Sequence, residues 1–132
     1  MAYTLEYLPG EPILLATLPS DFDLSKDTIA FADVCLETLD ESTEPLILIL
    51  DITQASGKFS DFLPAMADVR AGRRVVLRHP QLREVIVVST RNVVRLVCKA
   101  LKSRENGHIN IVVVDTVEEA LELARRTNLD SQ

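Results

Sequence analysis

The chain has little of what several functional classes require. Its 132 residues include no tryptophan, and aromatic residues make up 5% of the total. Because stacking platforms for single-stranded nucleic acid need aromatic rings, and because the net charge is −6, we expect no nucleic-acid partner. No apolar stretch approaches the ~20 residues that cross a bilayer, and no basic region precedes an apolar one at the N-terminus. The sequence therefore predicts neither a membrane span nor a secretory signal.

Residues suited to catalysis or metal binding are also sparse. Cys35 and Cys98 both fall in predicted helices, which disfavours a disulfide framework and favours a reducing, cytoplasmic location. We expect both to be small buried core residues. His79 and His108 lie in predicted loops, without the spacing of a metal site or a nucleophile–base pair, and we expect them on the surface. The four glycines are scattered, so there is no phosphate loop, and we expect no catalysis, no metal and no cofactor.

Three short apolar runs carry the fold prediction. They span residues 46–51, 85–90 and 109–115, and each is followed by a helix signal. Unbroken hydrophobicity rich in β-branched residues is typical of strands that are buried on both faces. Such strands, alternating with helices, predict an α/β domain with a largely parallel sheet. At this length we expect residues 1–132 to form one domain.

The chain opens with a predicted antiparallel hairpin. Residues 2–8 alternate between apolar and polar, a Pro-Gly turn follows, and residues 13–18 form the second strand. With the three later strands and their helices, the predicted order is ββαβαβαβα. The helices are predicted over residues 25–39, from near Ser60, over about 91–103 with Thr90 as its cap, and after Thr116, which opens a capping box with Glu119.

Two stretches resemble a known family. Residues 85–96 read Val-Ile-Val-Val-Ser-Thr-Arg-Asn-Val-Val-Arg-Leu, and residues 111–121 contain Asp-Thr-Val-Glu-Glu-Ala-Leu. With the element order, they resemble the STAS domain of anti-sigma factor antagonists and its SpoIIAA-like relatives. The resemblance implies a mixed sheet with parallel core strands and helices mainly on one face. It also implies a small, non-enzymatic module that switches partners.

The resemblance also implies a candidate phosphorylation site. Antagonists of this family carry a phosphorylated serine, within Asp-Ser-Ser/Thr-Gly, at the start of the helix after the central strand. Counting forward from Asp51 selects Ser60, whereas matching Ser-Gly selects Ser56, and the flanking residues of both depart from the motif. A phosphate on Ser60 would lie at a helix N-terminus, where anions are favoured. The alternative is that Ser60 caps that helix.

Polar residues follow the predicted parallel strands at their carboxyl ends, where open α/β sheets usually bind ligands. Together they could bind a small polar ligand. The alternative is that each one caps a helix or satisfies a loop. Two acids from separate loops, without a third acid or a histidine, do not predict a metal site. This carboxyl edge consists of Asp51, Thr53, Ser89, Thr90, Asn92 and Asp115.

Charge is distributed unevenly along the chain. Residues 1–69 carry a net charge of −11, residues 70–104 carry +9 and residues 105–132 carry −4. The predicted helix over 91–103 has its cations on one side, and like charges four residues apart destabilise a helix unless opposite charge lies near. Acids of the first or last helix, a second copy, or an anionic ligand or partner could supply that charge. This basic stripe consists of Arg91, Arg95, Lys99 and Lys102.

These observations predict a non-catalytic, cytoplasmic interaction or regulatory module. Its partner would be another protein or a second copy in a homodimer. The alternative is a binding protein for a small or lipid-like molecule, which rests on the kinship of SpoIIAA-like folds with CRAL-TRIO lipid-binding domains. An apolar cavity beside the sheet would favour that alternative, and a solid core would favour an interaction module.

Overall fold

A computed structural model describes residues 3–22, 28–55, 79–102 and 110–130. The helix predicted from near Ser60 lies outside these ranges, as do both candidate phosphorylation sites, Ser56 and Ser60. No helix in the described ranges is long and apolar enough to cross a bilayer. The strands are β1 (Thr4–Tyr7), β2 (Ile13–Thr17), β3 (Leu46–Asp51), β4 (Leu82–Val88) and β5 (Ile111–Val114), and the helices are α1 (Thr28–Glu41), α2 (Asn92–Lys102) and α3 (Val117–Asp130).

The five described strands form one mixed sheet in the order β1-β2-β3-β4-β5. β1 and β2 pair antiparallel, and the other neighbours pair parallel. Gly10 adopts a φ of 74° in the hairpin turn, a conformation that glycine reaches without steric cost. The Leu8 amide donates to the Ile13 carbonyl oxygen at 3.0 Å and closes the turn. The predicted hairpin and parallel core are confirmed.

The central strands are buried on both faces, as their unbroken hydrophobicity predicts. Leu48 packs with the buried residues of α1 and α2, whereas its neighbour Ile49 packs with those of α3. Their exposed fractions are 3% and 0%. Burying each such side chain contributes roughly 1.5–3 kcal/mol, so both layers of helices hold the sheet.

Helices cover the two faces of the sheet unequally. Phe31 and Cys35 of α1 and Val94 of α2 pack on one face, which we call the α1/α2 face. Ala120 and Ala124 of α3, both fully buried, pack on the opposite α3 face. Two of the three described helices therefore share a face, as predicted. The third covers the opposite one, because strands that are apolar on both sides need a layer on each side.

The helix starts differ in detail from the sequence prediction. The Thr116 hydroxyl accepts a hydrogen bond from the Glu119 amide at 3.1 Å, so the hydroxyl half of the predicted capping box is present. At α2, however, the first helical hydrogen bond runs from the Arg95 amide to the Arg91 carbonyl. Arg91 therefore occupies the N-cap position, and the prediction that Thr90 caps this helix is wrong.

Candidate functional site

The ends of β3, β4 and β5 lie side by side at the carboxyl edge. Asp51 is in register with Val88, and Val88 with Val114. Beyond the strands, the Ile52 amide donates to the Val88 carbonyl at 3.2 Å, and the Ser89 amide donates to the Val114 carbonyl at 3.0 Å. The parallel pairing thus brings the six residues of the carboxyl edge to one side of the molecule.

Asp51 closes the turn that follows β3. One carboxylate oxygen, Oδ1, accepts hydrogen bonds from the Thr53 amide at 3.0 Å and from the Thr53 hydroxyl at 2.7 Å. An aspartate that binds the backbone two residues further on is a common turn device. The geometry gives both side chains a local structural role.

Ser89 has a comparable role at the end of β4. Its side chain is fully buried, and its hydroxyl accepts a hydrogen bond from the Arg91 amide at 3.1 Å. This bond satisfies one of the amides that the start of a helix leaves free. Thr90 and Asn92, by contrast, are exposed. The Ser89 hydroxyl is therefore held against the backbone and is not exposed to solvent.

Asp115 forms an ion pair with Arg95, a member of the basic stripe. The side chains are about half exposed, at 54% and 45%. A solvated pair of this kind contributes about 0–1 kcal/mol, so its main effect is to tether α2 to the loop before α3. The chain supplies the opposite charge for Arg95 from this loop.

The two acids of the carboxyl edge point to opposite faces of the sheet. Strand alternation places Asp51 on the α3 face with Ile49, and it places Asp115 on the α1/α2 face with Val113. Their strands are also two positions apart, or roughly 10 Å. The part of the chain that the structure describes contains no group of three His, Cys, Asp or Glu residues suited to a metal ion.

The outer face of α2 presents a different surface. Val94, Val97 and Cys98 are buried beneath the helix, whereas Leu96 is 64% exposed. Lys99, three residues on from Leu96, is exposed and makes no hydrogen bond or ion pair within the described ranges. Residues three and four apart are neighbours on a helix surface. A protruding leucine therefore lies beside Lys99, one cation of the basic stripe.

Comparison with solved structures identifies the fold. The structure is similar to a crystal structure of an uncharacterized protein from the DUF3478 family, from Shewanella loihica PV-4, with a SpoIIAA-like fold. The two chains are 12% identical, and the match covers 93% of this chain and 92% of that chain with a TM-score of 0.50. This chain has a SpoIIAA-like fold. No protein-family model and no curated protein matches it.

The SpoIIAA-like fold confirms the architecture predicted from residues 85–96 and 111–121. The match covers nearly the whole chain and not only those two stretches. At this level of identity the likeness establishes the fold alone. The function has to be argued from the surface and the side chains of this chain.

The buried histidine was missed by the sequence analysis. His79 is 8% exposed, so the prediction of a surface histidine is wrong, whereas His108 lies outside the described residues. The His79 Nδ1 atom accepts a hydrogen bond from the Gln81 amide at 3.0 Å, which leaves Nε2–H to donate to Asp40 at 2.7 Å. The ring joins the end of α1 to the start of β4. Asp40 is 39 positions away, so no local pattern indicates this contact.

A buried carboxyl group was also missed. Glu84 is 8% exposed on β4, and the Thr127 hydroxyl of α3 donates to it at 3.4 Å. Burial raises the pKa of Glu84, although the Thr127 hydrogen bond and the nearby Arg83 and Lys102 oppose that shift. Arg83 donates to the Thr127 carbonyl at 2.6 Å. This cluster ties the end of α3 to the SpoIIAA-like sheet.

The two cysteines lie in the core, as expected. Cys35 of α1 and Cys98 of α2 are 1% and 6% exposed on the α1/α2 face. Burial raises the pKa of Cys35 to about 12 and that of Cys98 to about 11. Since the thiolate is the reactive form of cysteine, both thiols are poor nucleophiles at neutral pH.

Proposed function

We propose that this protein is a non-catalytic, cytoplasmic interaction module that binds a protein partner through the outer face of α2. The observation that carries the proposal is Leu96, which is 64% exposed three residues before Lys99 of the basic stripe. A single exposed leucine is ordinary on a protein surface. Here it lies beside Lys99, a cation without an ion-pair partner in the described ranges, and this combination suits an acidic partner with an apolar anchor.

The carboxyl edge also supports the proposal, because several of its polar side chains already have partners within the chain. The oxygen atoms of Asp51 and Ser89 accept hydrogen bonds from their own loops, and Asp115 pairs with Arg95. Groups held in this way orient the chain and leave few free donors or acceptors for a substrate. The STAS resemblance, which implies a partner-switching module, agrees with this reading.

The physical basis of such binding can be divided between Leu96 and the charges. Burying a leucine side chain contributes roughly 1.5–3 kcal/mol, which is the size of an interface anchor. Lys99 lies three residues after that anchor and Lys102 three residues further along α2, and exposed charges of this kind mainly steer association and select the partner. Specificity for an acidic surface would therefore come from the lysines and affinity from the leucine.

The proposal can be tested by co-purification from the organism that makes the protein. Tagged wild-type protein is compared with Leu96→Ser and Lys99→Glu variants, and bound proteins are identified by mass spectrometry. Arg126→Glu is a matched control, because it makes the same charge change on the exposed surface of α3, 62% exposed, away from α2. We expect a protein that wild type and the control retain and that both α2 variants lose.

Two outcomes would contradict the proposal. In one, no protein, an untagged copy of this chain included, is retained in a manner that depends on Leu96 and Lys99. In the other, native mass spectrometry of the purified protein shows a stoichiometric small molecule and no protein partner, which would favour the ligand-binding alternative. Circular dichroism of each variant shows whether a lost partner reflects the surface and not misfolding.

A further inference from the structure

The described chain exposes two large apolar side chains, and their surroundings have opposite charge. Leu96 is 64% exposed next to Lys99 of the basic stripe, and Tyr7 of β1 is 49% exposed. The Tyr7 hydroxyl donates to a carboxylate oxygen of Glu44 at 3.2 Å. An apolar side chain beside a cation and an apolar side chain beside an anion are complementary kinds of surface.

The surroundings of Tyr7 are acidic over a wider area. The exposed residues of α1 recur at helical spacing and are nearly all acidic, and residues 28–44 contain no lysine or arginine. Glu44 continues this surface beyond the end of the helix, next to Tyr7. We call this surface, with Tyr7, the acidic patch; its acids are Asp33, Glu37, Asp40, Glu41 and Glu44.

The acidic patch and the basic stripe lie on the same face of the sheet. Tyr7 is in register with Leu14, and Leu14 packs with the buried residues of α1 and α2. β1 is the edge strand and β4, which leads into α2, is three strand positions away, or roughly 14 Å. At that separation Tyr7 and Leu96 do not cover each other within one chain.

We propose that the partner of the α2 face is a second copy of this chain, with the basic stripe and Leu96 of one copy against the acidic patch and Tyr7 of the other. This inference rests on the proposed function and names its partner. A two-fold axis between the two surfaces brings each stripe against the other copy's patch, so the contact forms twice and closes as a dimer.

Self-complementarity favours a second copy over an unrelated acidic protein. A two-fold interface requires both halves of the contact on one subunit. This chain has both on one face, and each half has an exposed apolar side chain at or beside its charges. An unrelated partner would account for the α2 surface but would leave the acidic patch and Tyr7 unused.

The test is a charge-swap experiment in the analytical ultracentrifuge. One protein carries Lys99→Glu and Lys102→Glu, and the other carries Glu37→Lys and Glu44→Lys. Each pair of reversals changes the net charge by four, from −6 to −10 or to −2, so the two proteins still repel each other overall. Sedimentation equilibrium covers about 5–500 μM, which spans the dissociation constants of small interfaces.

We expect wild type to dimerise and each swapped protein alone to be at least tenfold weaker. Loss of one exposed ion pair changes affinity about fivefold, and a symmetric dimer contains every pair twice. An equimolar mixture should recover a dimer close to wild-type affinity, because the reversed stripe then meets the reversed patch and the unreversed stripe meets the unreversed patch, so that both contacts join opposite charges. Leu96→Ala in both proteins should weaken that mixed dimer at least tenfold.

A wild-type protein that stays monomeric over the whole concentration range would overturn the inference. So would a mixture of the swapped proteins that associates no more strongly than either protein alone. If another protein nevertheless co-purifies through Leu96 and Lys99, the interaction module stands and only its partner is reassigned. If wild type is monomeric and no protein co-purifies with it, both proposals fail. Thermal unfolding of each variant confirms that its fold is intact.

Discussion

Two neighbouring residues of the central strand provide a strong test of burial on both faces. Leu48 and Ile49 are adjacent on β3, and their side chains point to the α1/α2 face and the α3 face. Replacing either by alanine removes three carbon atoms from a site that is at most 3% exposed. If β3 is covered on both sides, the two substitutions should cost similar amounts.

The expected loss of unfolding free energy has two parts, the lost burial of the removed carbons and the cavity that they leave. Removing three buried carbons costs about 2.4 kcal/mol at ~0.8 kcal/mol per methylene. A residual cavity adds about 1 kcal/mol or more, which gives ~3–4 kcal/mol for each substitution. For Ile49 the upper end is expected, since it packs with Ala120 and Ala124, whose methyl groups cannot extend into the space.

Urea unfolding at constant pH measures both losses. With a slope of about 2 kcal/mol per molar urea, each midpoint should fall by roughly 1.5–2 M. Leu96→Ala, compared at a protein concentration too low for dimerisation, is the matched control, because it removes the same atoms from a side chain that is 64% exposed, and it should cost less than about 0.5 kcal/mol. A loss below about 1 kcal/mol at either Leu48 or Ile49 would mean that β3 has a solvent face, which would refute the two-layer packing.

Three further predictions concern the interior and the caps. The raised pKa of Glu84 means that the folded state keeps a proton that the unfolded chain releases above its ordinary pKa of 4.5. Stability should therefore fall as pH rises from about that value toward the folded pKa, and Glu84→Gln should flatten this part of a plot of unfolding free energy against pH; an unchanged slope would contradict the burial. Cys35 and Cys98 should resist a thiol reagent at pH 8 in the folded state and react fully in denaturant, and rapid native labelling would contradict their placement. Thr116→Ala should lower the free energy of unfolding by about 1 kcal/mol, through loss of the N-cap bond to α3, whereas Thr116→Ser should retain most of it.

Features that depend on local pattern were predicted well. The strand over residues 46–51 was predicted with its observed bounds, because a short uninterrupted apolar run leaves few alternatives. The capping threonine of α3 was predicted correctly, because its hydroxyl contacts a backbone amide only three residues further along the chain. The apolar run that predicted β4 spans residues 85–90, yet the strand starts at Leu82, where its register with β3 is irregular.

Features that depend on distant contacts could not be read from the sequence. His79 is buried against Asp40, and Glu84 is buried against Thr127, and these partners are 39 and 43 positions apart in the sequence. The basic stripe was visible as a pattern, but the pairing of Arg95 with Asp115 depends on how the loop after β5 folds back toward α2. Isolated polar residues between apolar runs look alike in sequence, and only packing separates exposed ones from buried ones.

Resonances of the Leu96 methyl groups provide the most direct measurement of the central claim, which is that the outer face of α2 is the contact surface. Methyl NMR spectra are recorded over a dilution series, with the buried methyl groups of Leu48 as an internal reference. We predict that the Leu96 resonances shift with concentration while those of Leu48 stay constant, and that Lys99→Glu abolishes the shift. Leu96 resonances that are unchanged both by concentration and by any co-purified protein would contradict the account.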